Sequence, residues 1–295
     1  MTNISASLVK ELRDKTGAGM MDCKNALNQC KGSIEESVDW LRKKGLAAAQ
    51  KKSGRIATEG LIGLSIDNLN GAIIEVNSET DFVARNETFQ DFVKITAKLA
   101  LSANGDINVL KTMKYPTTQR TVEEQLTDLV STIGENISLR RLENISTSNG
   151  TLSSYVHSPL QEGVGKIGVL VSLQSLAEKS KLETLGKKLA MHIAASKPQA
   201  ISQDDLNEEI LARERVILTA QAKDTKRPDA IVEKIVTGRL QKFFEESCLL
   251  EQTYVMDNEL KVSDAIELVE KEVGNKIDVT GFKVFVLGEG IEKLD

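Results

Sequence analysis

A chain of 295 residues, 40% of them apolar, can bury a sizeable core, and its length suits roughly one to three domains. A formal charge of −5 and an aromatic content of 4% argue against a broad nucleic-acid-binding surface, which needs many phosphate-neutralising cations and stacking rings. No apolar run approaches the ~18–20 residues of a membrane span, residues 1–5 lack the start of a secretion signal, and the sparse cysteines Cys23, Cys30 and Cys248 fit a reducing compartment. A cytoplasmic protein with no membrane partner is expected.

Residues 4–44 read as three short helices. Leu8, Val9 and Leu12 give the first an apolar stripe, ended by Thr16-Gly17-Ala18-Gly19. Met20, Met21, Ala26 and Leu27 supply the second, which Gly32 stops. Ser33-Ile34-Glu35-Glu36 is a capping box opening the third, whose stripe is Ile34, Val38 and Leu41 and whose end is Gly45. Residues 46–55, alanines interspersed with Lys51, Lys52 and Arg55, read as a partly helical, mobile linker. Its charges face water; a small basic contact surface for a ribosome or RNA is the rarer alternative.

From Gly60 the apolar period changes to two. Leu61-Ile62-Gly63-Leu64-Ser65-Ile66 and Ala72-Ile73-Ile74-Glu75-Val76 are strands around Asp67-Asn68-Leu69-Asn70-Gly71, a turn longer than two residues. The second strand runs into Glu79-Thr80-Asp81-Phe82-Val83-Ala84-Arg85. A helix follows over residues 89–101, with Phe89, Phe92, Val93, Ala97 and Ala100 on one face. An Asp beside a Phe at such a corner can pair a charge with a large apolar wedge. The commoner arrangement is Phe82 folded into its own core and Asp81 capping the helix.

Residues 105–118 read as loop. Thr121-Val122-Glu123-Glu124 is a further capping box, opening a helix with Val122, Leu126, Leu129, Val130 and Ile133 on one face, ended by Gly134. Residues 137–145 read as a strand. The order then repeats: strands at 152–157 and 166–173 around a loop at 158–165, and a helix at 185–195 that faintly echoes residues 95–103. Residues 202–246 read as an antiparallel helical hairpin opened by Ser202-Gln203-Asp204-Asp205. One stripe is Leu206, Ile210, Ile217 and Ala220; the turn is Lys223 to Pro228; the second stripe is Ile231, Ile235 and Phe243 or Phe244. A helix from Ser263 and a strand at 280–287 finish the chain. The fold class is therefore α+β. It divides into a helical module and linker (1–54), a first antiparallel-sheet-plus-helix half (55–147), a second half (148–198 and 247–295) and the inserted hairpin (199–246).

No Gly-rich phosphate loop, HExxH or CxxC spacing is present. The two histidines, His157 and His192, have no partners at catalytic or ligand spacing, and His192 sits among Leu189, Ile193 and Ala194 as a core histidine would. The sequence thus offers no catalytic residue, metal site or cofactor site, and reads as an interaction protein. An adaptor acting through its first 45 residues, or an enzyme at His157 or His192, are the other classes open to it.

Several blocks resemble bacterial elongation factor Ts: Leu8-Val9-Lys10-Glu11-Leu12-Arg13 with Thr16-Gly17-Ala18-Gly19-Met20-Met21-Asp22-Cys23-Lys24, then Thr80-Asp81-Phe82-Val83-Ala84-Arg85, Ile133-Gly134-Glu135-Asn136-Ile137, His192-Ile193-Ala194-Ala195-Ser196-Lys197-Pro198 and Gly288-Glu289-Gly290-Ile291-Glu292-Lys293. They lie in family order and span nearly the whole chain. The resemblance implies a guanine nucleotide exchange factor for elongation factor Tu, not an enzyme. It implies an N-terminal UBA-like module docking on the partner's GTPase domain through a surface that includes Met20 and Met21. Two core halves follow, with a coiled-coil excursion that pairs two complexes in some members. By the same resemblance Asp81 and Phe82, flanked by Thr80 and Val83, enter between two helices of the GTPase domain and disturb its magnesium and phosphate-binding loop. Ile133, Gly134 and His157 match further contacts. Some members carry another helical module after the last block; this sequence runs only to Asp295, so no counterpart is expected.

Overall fold

In the computed structural model, which describes residues 4–223 and 228–292, the chain opens with helices α1 (Ala6–Thr16), α2 (Met20–Gln29) and α3 (Ile34–Lys52). Ser5 Oγ accepts the Leu8 N–H and Ser33 Oγ accepts the Glu36 N–H, so side chains suited to capping fix both starts. Leu12, Cys23, Ala26 and Leu27 are wholly buried between the helices. Met20 and Met21 do not join that core. They stand in the first turn of α2, 60% and 67% exposed, while Cys23, Ala26 and Leu27 carry the inward face. Gly45 does not end α3 either. It lies buried within the helix, where a Cβ would sit 3.4 Å from Ser131 of the later helix α7 (Val122–Ile133). The two helices meet at this glycine, and α3 continues through most of the stretch expected to be a linker, with Ala49 packed on the core of the first sheet.

Strands β1 (Glu59–Asp67) and β2 (Asn70–Ser78) pair from Glu59↔Ser78 to Asp67↔Asn70. The loop is thus only Asn68-Leu69, with Asn68 at φ 51°, and Asn70-Gly71 opens β2 instead of making the turn. β2 leads through α4 (Asp81–Ala84) to α5 (Glu87–Ala100), α6 (Ile107–Thr112), α7 and β3 (Ile137–Ser146). The region expected to be loop therefore contains α6, a short helix started by Asp106 Oδ1 on the amides of Asn108 and Val109. The capping box at Thr121 and Glu124 forms in both directions. Phe89, Phe92, Val93, Ala97 and Ala100 of α5 are at most 1% exposed against the sheet. Gly63 lets α5 sit directly on β1, since a Cβ there would meet Val93 Cγ1 at 2.8 Å.

β4 (Thr151–His157), β5 (Val164–Gly165) and β6 (Ile167–Gln174) follow, then α8 (Lys179–Ser196), which begins earlier than the expected residue 185. The helical hairpin is α9 (Glu208–Lys223) and α10 (Asp229–Ser247); of the turn expected over 223–228, Lys223 ends α9, Pro228 precedes α10 and residues 224–227 lie outside the described residues. Residues 203–205, expected to open α9, instead make a separate 3₁₀ turn. The hairpin's core is Leu218, Ala222, Val232 and Val236, whereas Ile210, Ile217 and Ile231 are exposed. Adjacent apolar pairs such as Ile217-Leu218 and Ile231-Val232 let a 3.6-residue period select the wrong member. Helix α11 (Val262–Val273) and strand β7 (Asp278–Val286) complete the fold.

The first sheet has the order β3-β2-β1-β5 and the second β4-β6-β7, with antiparallel pairing throughout. Their inner faces meet through Ile62, Leu64, Ile73, Leu170 and Phe285. Helices α5 and α7 cover the outer face of the first sheet, and α8 and α11 that of the second. The layers run helix, sheet, sheet, helix. Being covered on both faces, β2 is buried from Gly71 to Ser78, so the alternation seen in the sequence is not an alternation of exposure. β5 comes from the stretch expected to be pure loop, and completes the first sheet from within the second half of the chain. The path β1-β2-α5-α7-β3 has the same connectivity as β4-β6-α8-α11-β7.

Candidate functional site

At the end of β2 the chain leaves the sheet in a single helical turn. Thr80 is extended, at φ −124° and ψ 159°, and its hydroxyl does not cap α4 because it donates to Glu135 Oε1 at 2.6 Å. Val83 and Ala84 are 4% and 3% exposed, buried in the core beneath α5. Asp81 and Phe82 therefore point outward, and Phe82 is 74% exposed. Asn86, not Asp81, caps α5, its Oδ1 accepting the Phe89 N–H at 3.2 Å. The arrangement in which Phe82 joins the core and Asp81 is a cap is thus not the one adopted. An isolated exposed apolar side chain is ordinary; this one stands on a turn whose next two residues are buried.

The turn is bolted to the α7–β3 connection. Glu135 Oε2 accepts the Thr80 N–H at 2.9 Å, and Glu79 Oε1 accepts the Asn136 N–H at 2.5 Å. Arg55 Nη1 lies 3.4 Å from Glu79 Oε1, while Asn136 Nδ2 donates to the Arg55 carbonyl at 2.7 Å. Half-buried Ile133 and exposed Gly134, the left-handed C-cap of α7, are thereby brought beside Thr80, Asp81 and Phe82. Sequence reasoning missed the bracing role of Glu79, Glu135 and Arg55, because their partners, backbone and side chain alike, lie distant along the chain. Val83, expected as a contact, is the buried anchor of the corner and offers no free surface.

Exposed His157 ends β4, with Nδ1 3.1 Å from the Tyr155 hydroxyl. The loop after it returns to the corner: Gln161 Nε2 donates to Gln90 Oε1 at 2.8 Å, and Gln90 Nε2 donates to the Ala84 carbonyl at 2.8 Å. Met20 and Met21 are linked to the corner more loosely. Their neighbour Asp22 pairs with Lys44 at 2.6 Å, and Lys52, about 12 Å further along α3, has its Nζ 3.9 Å from where a Cβ on Gly134 would stand.

Behind the corner, fully buried Glu75 joins the sheets. Its carboxylate accepts from the Gly288 N–H at 2.9 Å, Asn77 Nδ2 at 2.9 Å, Arg140 Nη1 at 3.1 Å and Arg141 Nε at 2.5 Å. Burial pushes its pKa up, but the Gly288 amide, Asn77 and Arg141 outweigh that and hold it below the usual carboxylate value. The other histidine, His192, is fully buried. Nδ1 accepts the Val255 N–H at 3.2 Å, so Nε2 carries the proton and donates to Gln252 Oε1 at 2.9 Å. Burial lowers its pKa. It is a satisfied core histidine, as its sequence setting suggested. Among the described residues no group of three or more His, Cys, Asp or Glu side chains could hold a metal ion, and no helix is long and apolar enough to cross a membrane.

The arrangement is an aromatic held in water on a turn braced by Glu79 and Glu135. The family model for "Elongation factor TS" matches residues 79–289, from Glu79 at the corner to the residue after Gly288, whose amide Glu75 accepts. Over 293 residues the chain is 54% identical to elongation factor Ts of Rhodospirillum centenum, a match covering 99% of this chain and 95% of that protein. It is 52% identical over 294 residues to elongation factor Ts of Rhodospirillum rubrum, with the same coverage of 99% and 95%. Against elongation factor Ts of Agrobacterium fabrum it is 47% identical over 293 residues, covering 99% of this chain and 95% of that one. The matches run through the N-terminal helices, both sheets and the hairpin alike, and the chain belongs to the elongation factor Ts family.

Proposed function

We propose that this chain releases GDP from elongation factor Tu by inserting the Asp81–Phe82 turn into the partner's GTPase domain, where it disturbs the magnesium and phosphate site. Exchange of GDP for GTP on elongation factor Tu is the activity that family membership carries; the residues assigned to it are the proposal. The observation behind the assignment is that Phe82 is 74% exposed on a turn whose next residues, Val83 and Ala84, are buried. Burying such a ring in a partner is worth ~1.5–3 kcal/mol, which the free protein forgoes. Asp81 supplies a charge beside the ring that fixes its register.

No side chain here needs to do covalent chemistry. Exchange is a coupling free energy: the factor binds the nucleotide-free partner more tightly than the loaded one, and by reciprocity nucleotide expels the factor. Thr80, Ile133 and Gly134 form the rim of the same contact and His157 extends it from the second sheet, with Met20 and Met21 meeting the GTPase domain from a UBA-like N-terminal module. The two halves, 55–147 and 148–198 with 247–295, are related units, and the hairpin at 199–246 is an excursion that pairs two complexes. Both proteins act in the cytoplasm.

Release of labelled GDP from elongation factor Tu tests the wedge. Phe82→Ala is expected to lower stimulated release about thirtyfold or more, the loss of an anchor worth at least ~2 kcal/mol. Undiminished stimulation by that variant would remove Phe82 from the mechanism.

A further inference from the structure

The two carboxylates at the Phe82 turn are arranged reciprocally. Glu79 takes the N–H of Asn136, the neighbour of Glu135, and Glu135 takes the N–H of Thr80, the neighbour of Glu79. The second sheet supplies an internal control. Its register shift between Ser172 and Leu173 matches the shift between Glu75 and Val76 in the first sheet. Gly60 and Gly150, at φ 122° and 121°, lie equally close under the carbonyls of Val76 and Leu173; in each case a Cβ would stand 2.1 Å from the oxygen. Helices α7 and α11 end at the left-handed Gly134 and Gly274, at the same spacing before Leu139 and Val279, the strand partners of Val76 and Leu173.

These markers set Glu79 opposite Leu176, Glu135 opposite Asn275 and Asn136 opposite Lys276. In the second half, Ser175 Oγ donates to the Lys276 carbonyl at 2.6 Å and accepts the Ala177 N–H at 3.1 Å, and the chain passes directly into α8. The same corner therefore closes without either carboxylate and without an extra helical turn. Where α4 has been added, both acids are present.

We propose that Glu79 and Glu135 are positioning residues for exchange, a clasp that keeps the Asp81–Phe82 turn preformed in the free protein. The inference rests on the reading of Phe82 as the inserted group. A single helical turn is far below the length at which a helix sustains itself, so α4 depends on its flanks. Val83 and Ala84 hold its end, and the clasp holds its start at Thr80. Preforming the turn removes an ordering cost from docking.

The test is the rate of labelled-GDP release from elongation factor Tu as a function of the concentration of the full chain. Glu135→Ala and Glu79→Ala should each raise the half-saturating concentration about tenfold, with the maximal rate within about twofold because the docked partner re-forms the turn. Glu135→Gln keeps an acceptor oxygen and should recover most of the loss. In a Phe82→Ala background the same substitutions should change the rate by less than about twofold, since they act through Phe82. Unchanged half-saturation in both alanine variants overturns the clasp, and so does a loss that persists undiminished without Phe82. If Glu135→Ala does not fold, Thr80→Val removes only the hydroxyl donor at 2.6 Å; a rise of about threefold that disappears in the Phe82→Ala background supports the clasp, and no rise, or one that persists in that background as a direct rim contact would, overturns it. Full activity of Phe82→Ala alone would sink the wedge and, with it, the clasp.

Discussion

Phe82, Glu75 and His192 show three different uses of a side chain. Phe82 contributes little to the fold, because its ring is mostly in water. Phe82→Ala should therefore shift urea-unfolding stability by less than ~0.5 kcal/mol while changing exchange, which separates a docking residue from a structural one. Glu75 is the opposite case. Glu75→Gln would leave the Arg140 and Arg141 guanidiniums facing a neutral amide, and should cost about 2–3 kcal/mol in urea melts, below the range for fully buried pairs because both arginines are partly exposed. The folded carboxylate titrates below its unfolded value, so its contribution is complete above that unfolded value and declines as pH falls through the folded one. His192 titrates below its ordinary value of 6.5 because it is buried. Below about pH 6.5 the unfolded chain takes up a proton that the folded chain refuses, so stability falls as pH drops and levels off below the folded pKa. Melts at stepped pH should show that slope, and His192→Ala should remove it while costing about 2–4 kcal/mol overall.

At the scale of elements, the hairpin is the most separable part. Its core, Leu218, Ala222, Val232 and Val236, lies between α9 and α10 themselves. Its root is held elsewhere: Gln199 N–H donates to Ser247 O at 2.7 Å, Leu249 N–H to Ala200 O at 2.9 Å, and Phe243 and Phe244 pack on Ala200, Leu206 and Cys248. Excising residues 212–236 keeps that root, and the rest of the molecule should melt within about 3 °C of the full chain. Light scattering on the same variant bound to elongation factor Tu reads out pairing: a mass unchanged from that of the full complex would reject the hairpin as the pairing element. Helix α3 is a contrasting element. The glycine that reads as its stop is a point where it meets α7, so one continuous helix runs from the N-terminal helices to the first sheet's helical layer.

In the whole molecule the two sheets share one inner core. Ile62, Leu64 and Ile73 of the first pack on Leu170 and Phe285 of the second, β5 crosses from one half of the chain to complete the other's sheet, and Glu75 binds the Gly288 amide beyond β7. Neither half can bury its strands alone. Calorimetry of the chain should therefore show the two sheets unfolding in one transition, and a fragment of residues 55–147 should lack the near-ultraviolet signal of fixed packing. Two separate sheet transitions would contradict this reading. The shared core also fixes His157 relative to the Phe82 turn, as the proposed joint contact with one partner requires.

Sequence by itself determined the local elements wherever a periodic stripe met a capping signal. Thr121 with Glu124, Gly134, and the stripe from Phe89 to Ala100 are examples, because capping and amphipathicity are written in neighbouring residues. It also placed the Asp81–Phe82 corner, since a strand ending before a helix can be read locally. Sequence could not decide whether Gly45 breaks a helix or admits a neighbour, or which of Ile217 and Leu218 faces inward. It could not show that a loop would donate β5 to a distant sheet. Those outcomes depend on what packs opposite, and the opposing residues lie far away along the chain. The orientation of Phe82 belongs to the same class: a phenylalanine after a buried strand defaults to the core, and only the tertiary structure, by filling that core with Val83, Ala84 and α5, leaves the ring outside.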